Sequence, residues 1–128
     1  MQSLRAKQRR LRVAIISKNP ETLDGLEGYL QNAGLTTSTT RRIERFPESG
    51  GRSSAVVVFP DDFHWDAVLA ALAESRRRNP RILQVIVTAH PQRFEALAWS
   101  EDDDAAPLLV PKPAWGWTIL DAVLGRLS

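Results

Sequence analysis

The sequence predicts an α/β domain: a five-stranded parallel β-sheet with helices on both faces. Four short apolar runs point to the strands: Val13 to Ile16, Ala55 to Phe59, Ile82 to Val87 and Leu108 to Val110. Each is β-branched or bulky and does not alternate with polar residues, as expected of strands covered on both faces. Segments with helical apolar spacing fall between the runs, and strand–helix alternation requires crossovers that leave successive strands parallel. A fifth run, "LTTSTT" from Leu35 to Thr40, alternates poorly, is rich in threonine and reads as an edge strand.

Residues 1–10 read as a basic extension, because Leu4 and Leu11 are too sparse to build a core element. The first strand breaks off into Ser17-Lys18-Asn19, and Pro20 suits a first helical turn with Asn19 as its cap. Leu23, Leu26, Leu30 and Ala33 then follow at helical spacing, and Gly34 fits a left-handed stop. Ile43 and Phe46 support at most a short helix before the loop "PESGGRSS". "HWDAVLAALAESRRR" predicts a long helix with Val68, Leu72 and Ser75 on one face, ended by Asn79-Pro80. "PQRFEALAWS" predicts a shorter helix carrying Phe94, Leu97 and Ala98. The last helix, from Trp117 to Leu127, buries Ile119, Leu120, Val123 and Leu127. Strand and helix alternate five times, which predicts the doubly wound, flavodoxin-like order 2-1-3-4-5.

Composition narrows the function classes. The chain has 128 residues, enough for one domain with a real core. It has no cysteine, which excludes disulfides and thiolate metal sites and is compatible with a reducing cytoplasm. No apolar stretch approaches the ~18 residues a membrane span needs, and the basic start lacks the apolar core of a signal peptide. A soluble, cytoplasmic protein without membrane attachment is expected. Net charge is +2, with arginines and lysines crowded at Arg5, Lys7, Arg9, Arg10 and Arg12 and again at Arg76, Arg77, Arg78 and Arg81. Such clusters can contact phosphates, although a solvated tail and a solvated helix end are the simpler account.

In a doubly wound sheet the working residues stand at the carboxyl ends of the strands. Here those are Ser17-Lys18-Asn19, Phe59-Pro60-Asp61-Asp62, Thr88-Ala89-His90 and Pro111-Lys112-Pro113. Together with "VIVTAH", "LLVPKP" and "KNPETLDGLEGYLQNAGL", this set resembles the receiver domain of bacterial two-component response regulators. The resemblance spans roughly residues 11–127 and divides the chain into an extension, 1–10, and a receiver-like domain, 11–128. It implies that Thr88 stands where the family has its switch hydroxyl and Lys112 where it has its lysine before a proline.

The departures from that family are chemical. A typical receiver ends its first strand in two acidic residues that hold magnesium; Ser17 and Lys18 stand there instead. Magnesium takes oxygen ligands, so a lysine brings no ligand and repels the dication. A typical receiver ends its third strand with the aspartate that accepts the phosphoryl group. That position is Phe59, whose ring accepts nothing, with Asp61 and Asp62 just beyond. Val110 stands where the family's switch aromatic would be, two places before Lys112. The degenerate pocket is therefore Ser17, Lys18, Phe59, Asp61, Asp62, Thr88 and Lys112, with Lys18 expected to supply positive charge in place of the ion. Two lysines at adjoining strand ends would repel, so Asp61 or Asp62 is expected within ion-pair reach of Lys18 or Lys112.

Other constellations carry less. His64, His90 and the acidic stretch "EDDDAA" at 101–106 lack the spacing that aims metal ligands at one point. Ser17 and His90 could imitate a nucleophile and base, but no orienting third residue or oxyanion loop accompanies them. The "SGG" at 49–51 lies in a loop and does not form a strand-to-helix phosphate turn. No catalytic residue, metal or cofactor is expected. Trp99, Trp115 and Trp117 fall near the family's usual partner surface and are candidate interface anchors, against the alternative that they pack in the core. The expected function is a phosphorylation-independent pseudo-receiver that docks a signalling protein or another domain of a longer chain, with a homodimer compatible. The alternatives are a receiver phosphorylated on Asp61 and a nucleic-acid-binding regulator that uses the basic N-terminus.

Overall fold

Strand β1 (Arg12–Ile16) lies inside the sheet because Val13 to Ile16 are apolar on both faces and leave none of their surface to water. The computed structural model describes residues 11–46, 53–95 and 107–127. After β1 come helix α1 (Pro20–Asn32), β2 (Thr36–Thr40), β3 (Ala55–Val58), α2 (Trp65–Arg78), β4 (Leu83–Thr88), β5 (Leu108–Pro111) and α3 (Gly116–Leu127). All five strands are parallel, in the order β2-β1-β3-β4-β5. The expected doubly wound sheet is thus the observed one, with the threonine-rich strand at an edge.

Period-two geometry sorts the apolar residues into two cores. Val13, Ile15, Val57, Val85 and Val87 face α1 and α3, where they meet Leu23, Leu26, Leu30, Ile119 and Val123. Ala14, Ile16, Val56, Val58 and Ile86 face α2, where they meet Val68, Ala71, Leu72, Phe46 and Phe94. Helix α1 starts as expected: the Asn19 carboxamide oxygen accepts from the backbone N–H groups of Glu21 and Thr22 at 2.9 and 3.3 Å. Past its end, Gly34 adopts φ 96°, a conformation costly to any residue with a Cβ.

The strand ends differ from the sequence expectation by one residue, for physical reasons. Strand β3 stops at Val58, although Phe59 N–H still donates to Ile16 at 2.9 Å, because Pro60 has no N–H to continue the ladder. Strand β4 runs on to Thr88, whose carbonyl accepts from Lys112 N–H at 3.0 Å. Among the described residues, β2 is followed by the 3-10 turn Ile43–Arg45 and β4 by the 3-10 turn Pro91–Phe94, each adjoining or holding a buried phenylalanine (Phe46 and Phe94). Of the shorter helix expected over "PQRFEALAWS", the described part is the 3-10 turn Pro91–Phe94 with Glu95 in helical conformation after it; the rest lies outside the described residues. Leu97, Ala98, Trp99, the "EDDDAA" stretch, "SGG" and residues 1–10 lie outside the described residues, as does the side chain of Leu127.

The end of α2 shows where one basic cluster goes. Arg76 turns inward and donates to the carbonyls of Pro80 and Ile82 at 3.1 and 2.8 Å and to the Gln84 side chain. Gln84, buried on β4, in turn donates to the Leu72 carbonyl at 2.9 Å. Arg77 and Arg78 both pair with Glu74, and their hydrogen bonds hold its carboxyl down to about 2. Much of the cluster's charge is thereby satisfied within the helix.

Ser75 is buried on the core face of α2, and its hydroxyl has no hydrogen-bond partner. Replacing Ser75 with alanine removes a desolvated hydroxyl and improves helix propensity. Chemical denaturation is expected to show Ser75→Ala more stable than the parent by ~0.5–1 kcal/mol.

Candidate functional site at the strand ends

Three donors from two strand ends converge on one carboxylate. The 3-10 turn Pro60–Asp62, set by the proline directly after β3 and Phe59, brings Asp61 over the ends of β4 and β5. Thr88, fully buried, donates its hydroxyl to Asp61 Oδ1 at 2.5 Å. Ala89 N–H donates to Asp61 Oδ2 at 2.9 Å, and Lys112 Nζ stands 3.2 Å from the same oxygen. The Thr88 hydroxyl also accepts from His90 N–H at 3.0 Å, which fixes its donor direction toward Asp61. The Asp61 side chain is 20% exposed. Burial raises its pKa, but the Ala89 N–H, the Thr88 hydroxyl and Lys112 together outweigh that and hold it below the ordinary value.

The aspartate–lysine pair expected from charge balance is present, and Lys112 is the lysine that makes it. Lys18 behaves differently from the expectation. Its side chain is directed to Phe63, with Nζ 5.8 Å from the ring centroid, and it makes no ion pair among the described residues. It does not supply charge to the Asp61 cluster because it projects from the exposed side of the turn, where water already solvates an ammonium. Ser17 is buried, and its Oγ accepts from Asn19 N–H at 3.1 Å, closing the turn into α1. No hydrogen bond joins it to His90 among the described residues.

The receiver resemblance implies magnesium, and the donor set does not fit it. Magnesium needs carboxylate oxygens aimed at one point. At the β1 end the hydroxyl of Ser17 is committed to Asn19 and Lys18 is a cation. Asp61 is committed to three donors, which leaves Asp62 as the remaining carboxylate of that loop. Among the described residues no three acids or histidines gather as ligands.

Phe59 is nearly buried and belongs to the core layer beneath α1 and α3, with Lys112 Nζ 6.0 Å from its ring centroid. Above it opens a cleft of ≈ 650 Å³ between the two helices, lined at the strand ends by Ser17, Asp62 and Lys112 and farther out by Tyr29 and Gly116. Tyr29 lies so close to Gly116 that a Cβ there would meet its ring at 3.0–3.3 Å. Gly116 is flanked by Trp115 and Trp117, which are 66% and 55% exposed. Both candidate tryptophans at the start of α3, Trp115 just before it and Trp117 in its first turn, are therefore surface residues; Trp99 lies outside the described residues. Trp65 packs edge-on against Phe94 and under the guanidinium of Arg93.

Solved structures with this architecture are numerous. A response regulator receiver protein from Sinorhizobium medicae superposes with a TM-score of 0.75 at 18% identity, covering 91% of this chain and 94% of that one. It is the receiver fold. A response regulator from Thermotoga maritima, solved with Mg(2+)-BeF, gives 0.73 at 19% identity over 91% and 99% of the two chains. A receiver domain from Clostridium thermocellum gives 0.71 at 15% identity, over 91% and 94%. No family model and no curated protein matches the sequence.

Two elements of the site were not anticipated. The Ala89 N–H is a backbone donor, which carries no residue-type signal. The exposed arginines Arg41, Arg42 and Arg45 just beyond β2 were visible as a basic run, but no strand-end motif drew attention to them.

Asp61→Ala leaves the buried Thr88 hydroxyl and Lys112 without their acceptor. It is expected to cost ~1–2 kcal/mol by chemical denaturation at neutral pH. Because the folded-state pKa is depressed, this contribution is complete above the unfolded value and fades as pH falls through the folded one. Denaturation curves of parent and variant are therefore expected to converge only below about pH 4.

Proposed function

We propose that this chain is a receiver-like interaction module of bacterial signal transduction, acting in the cytoplasm, whose docking does not depend on phosphorylation. The observation that carries this reading is the occupancy of Asp61. The hydroxyl, amide and ammonium that could receive a transferred phosphoryl group are already satisfied by an internal carboxylate. Phe59 at the strand end offers no acceptor oxygen, and Ser17 and Lys18 offer magnesium no carboxylate. The module then has no phosphotransfer step and no enzymatic activity of its own. Partner choice would rest on surface shape, and the exposed Tyr29, Trp115 and Trp117 supply rigid aromatic area of the kind that anchors interfaces.

One observation favours a second reading. Asp61 is itself paired with the lysine and the hydroxyl that accompany a phosphoacceptor in the resembled family, so phosphorylation on Asp61 is the rival. The basic N-terminus on which nucleic-acid binding would rest lies outside the described residues, and the second basic cluster, at the end of α2, is engaged by Glu74 and by backbone carbonyls.

Incubation with acetyl phosphate and magnesium, followed by intact-mass measurement, separates the two. The expected result is an unchanged mass. A phosphoryl adduct that appears in the parent and is absent in Asp61→Asn would establish the rival.

A further inference from the structure

We infer that the cleft beyond β2, lined by Arg41, Arg42 and Arg45, is a docking site for an acidic peptide segment of a partner protein. The cleft encloses ≈ 530 Å³ and presents three guanidinium groups against one carboxylate, Asp24. All three arginines are exposed, and none makes an ion pair among the described residues.

Their placement is built into the fold. Arg41 Nε donates to the Lys18 carbonyl at 3.2 Å, which fixes the guanidinium plane and leaves its two terminal nitrogens for a ligand. Arg42 N–H donates to the Thr40 hydroxyl at 3.2 Å, holding the turn. Arg42 caps the 3-10 turn Ile43–Arg45, and Arg42 and Arg45, at the two ends of that turn, both line the cleft. Ile43 and Phe46, both buried, anchor that turn to the core. The backbone of the turn and the Arg41 guanidinium are thus held before binding, which lowers part of the ordering cost a ligand imposes.

The lining also selects the class of partner. Guanidinium forks match carboxylates in bidentate geometry. Pro20 and Leu23 add an apolar floor, which suits an acidic segment carrying an aliphatic side chain. A duplex is a poorer match, because Arg76, Arg77 and Arg78 of α2 are already engaged by Glu74 and by backbone carbonyls and do not extend the cleft's charge. This site is independent of whether Asp61 takes a phosphoryl group.

The test uses the full chain and a fluorescein-labelled glutamate-rich peptide with a central leucine, read by anisotropy, with a labelled DNA duplex as comparator. Binding should weaken as salt is raised. The Arg41→Ala/Arg42→Ala/Arg45→Ala variant should bind the peptide at least about tenfold more weakly. An Arg77→Ala/Arg78→Ala control, equal in kind of charge removed, should bind as the parent does. Circular dichroism and a thermal melt confirm that each variant is folded, and Arg42→Glu alone, should the triple variant misfold, is expected to show the same loss. Absence of peptide binding to the parent, equal binding by the cleft and control variants, or tighter binding of the duplex than of the peptide would each overturn the inference.

Discussion

Everything in this molecule follows from a parallel sheet covered on both faces. The residues of β1 and β3 from Val13 and Ala55 onward have no room for an uncompensated polar group, and they carry none. Where β4 does carry one, at Gln84, a carbonyl and an arginine satisfy it. Polar chemistry is thereby expelled to the carboxyl ends, where the crossovers begin and backbone groups point outward. Thr88 is the last residue of β4, and its side chain reaches past the sheet's carboxyl edge to Asp61.

The Asp61 clasp ties three separate segments together at that edge. One carboxylate joins the loop after β3, the end of β4 and the residue after β5. Its two oxygens have different company: Oδ1 meets the hydroxyl, while Oδ2 takes both the amide and the ammonium. A rim ion pair alone would contribute little. The buried hydroxyl changes that balance, because a desolvated donor costs more to leave unmatched than an exposed lysine does. Charge and burial thus cooperate to fix the loop and to keep Thr88 turned toward it.

The strands and long helices were legible because burial on both faces leaves a composition signal that survives without any tertiary knowledge. Asn19 and Gly34 were legible for a different reason: cap chemistry is local, confined to two or three neighbouring backbone groups. Strand ends were displaced by one residue where a proline or a cross-strand carbonyl decided the matter. The partners of Asp61 were half legible. That an acid must lie near Lys18 or Lys112 followed from charge, whereas the choice of Lys112 and the turn that aims Asp61 rather than Asp62 follow from Pro60 and the buried Phe59 behind it. The orientation of Lys18 and the inward turn of Arg76 were not legible, since long flexible side chains choose among partners that only the folded chain brings within reach.

The strand order has a consequence for the chain as it is made. Strand β1 is synthesised first yet sits between β2 and β3, so one of its edges waits for Ala55–Val58 to emerge. At ribosomal speed that interval lasts on the order of seconds. During it, Val13 to Ile16 present an apolar ribbon with unmatched amides, the kind of edge that recruits other chains. A strand buried on both faces in the finished protein is thus an exposed liability at birth.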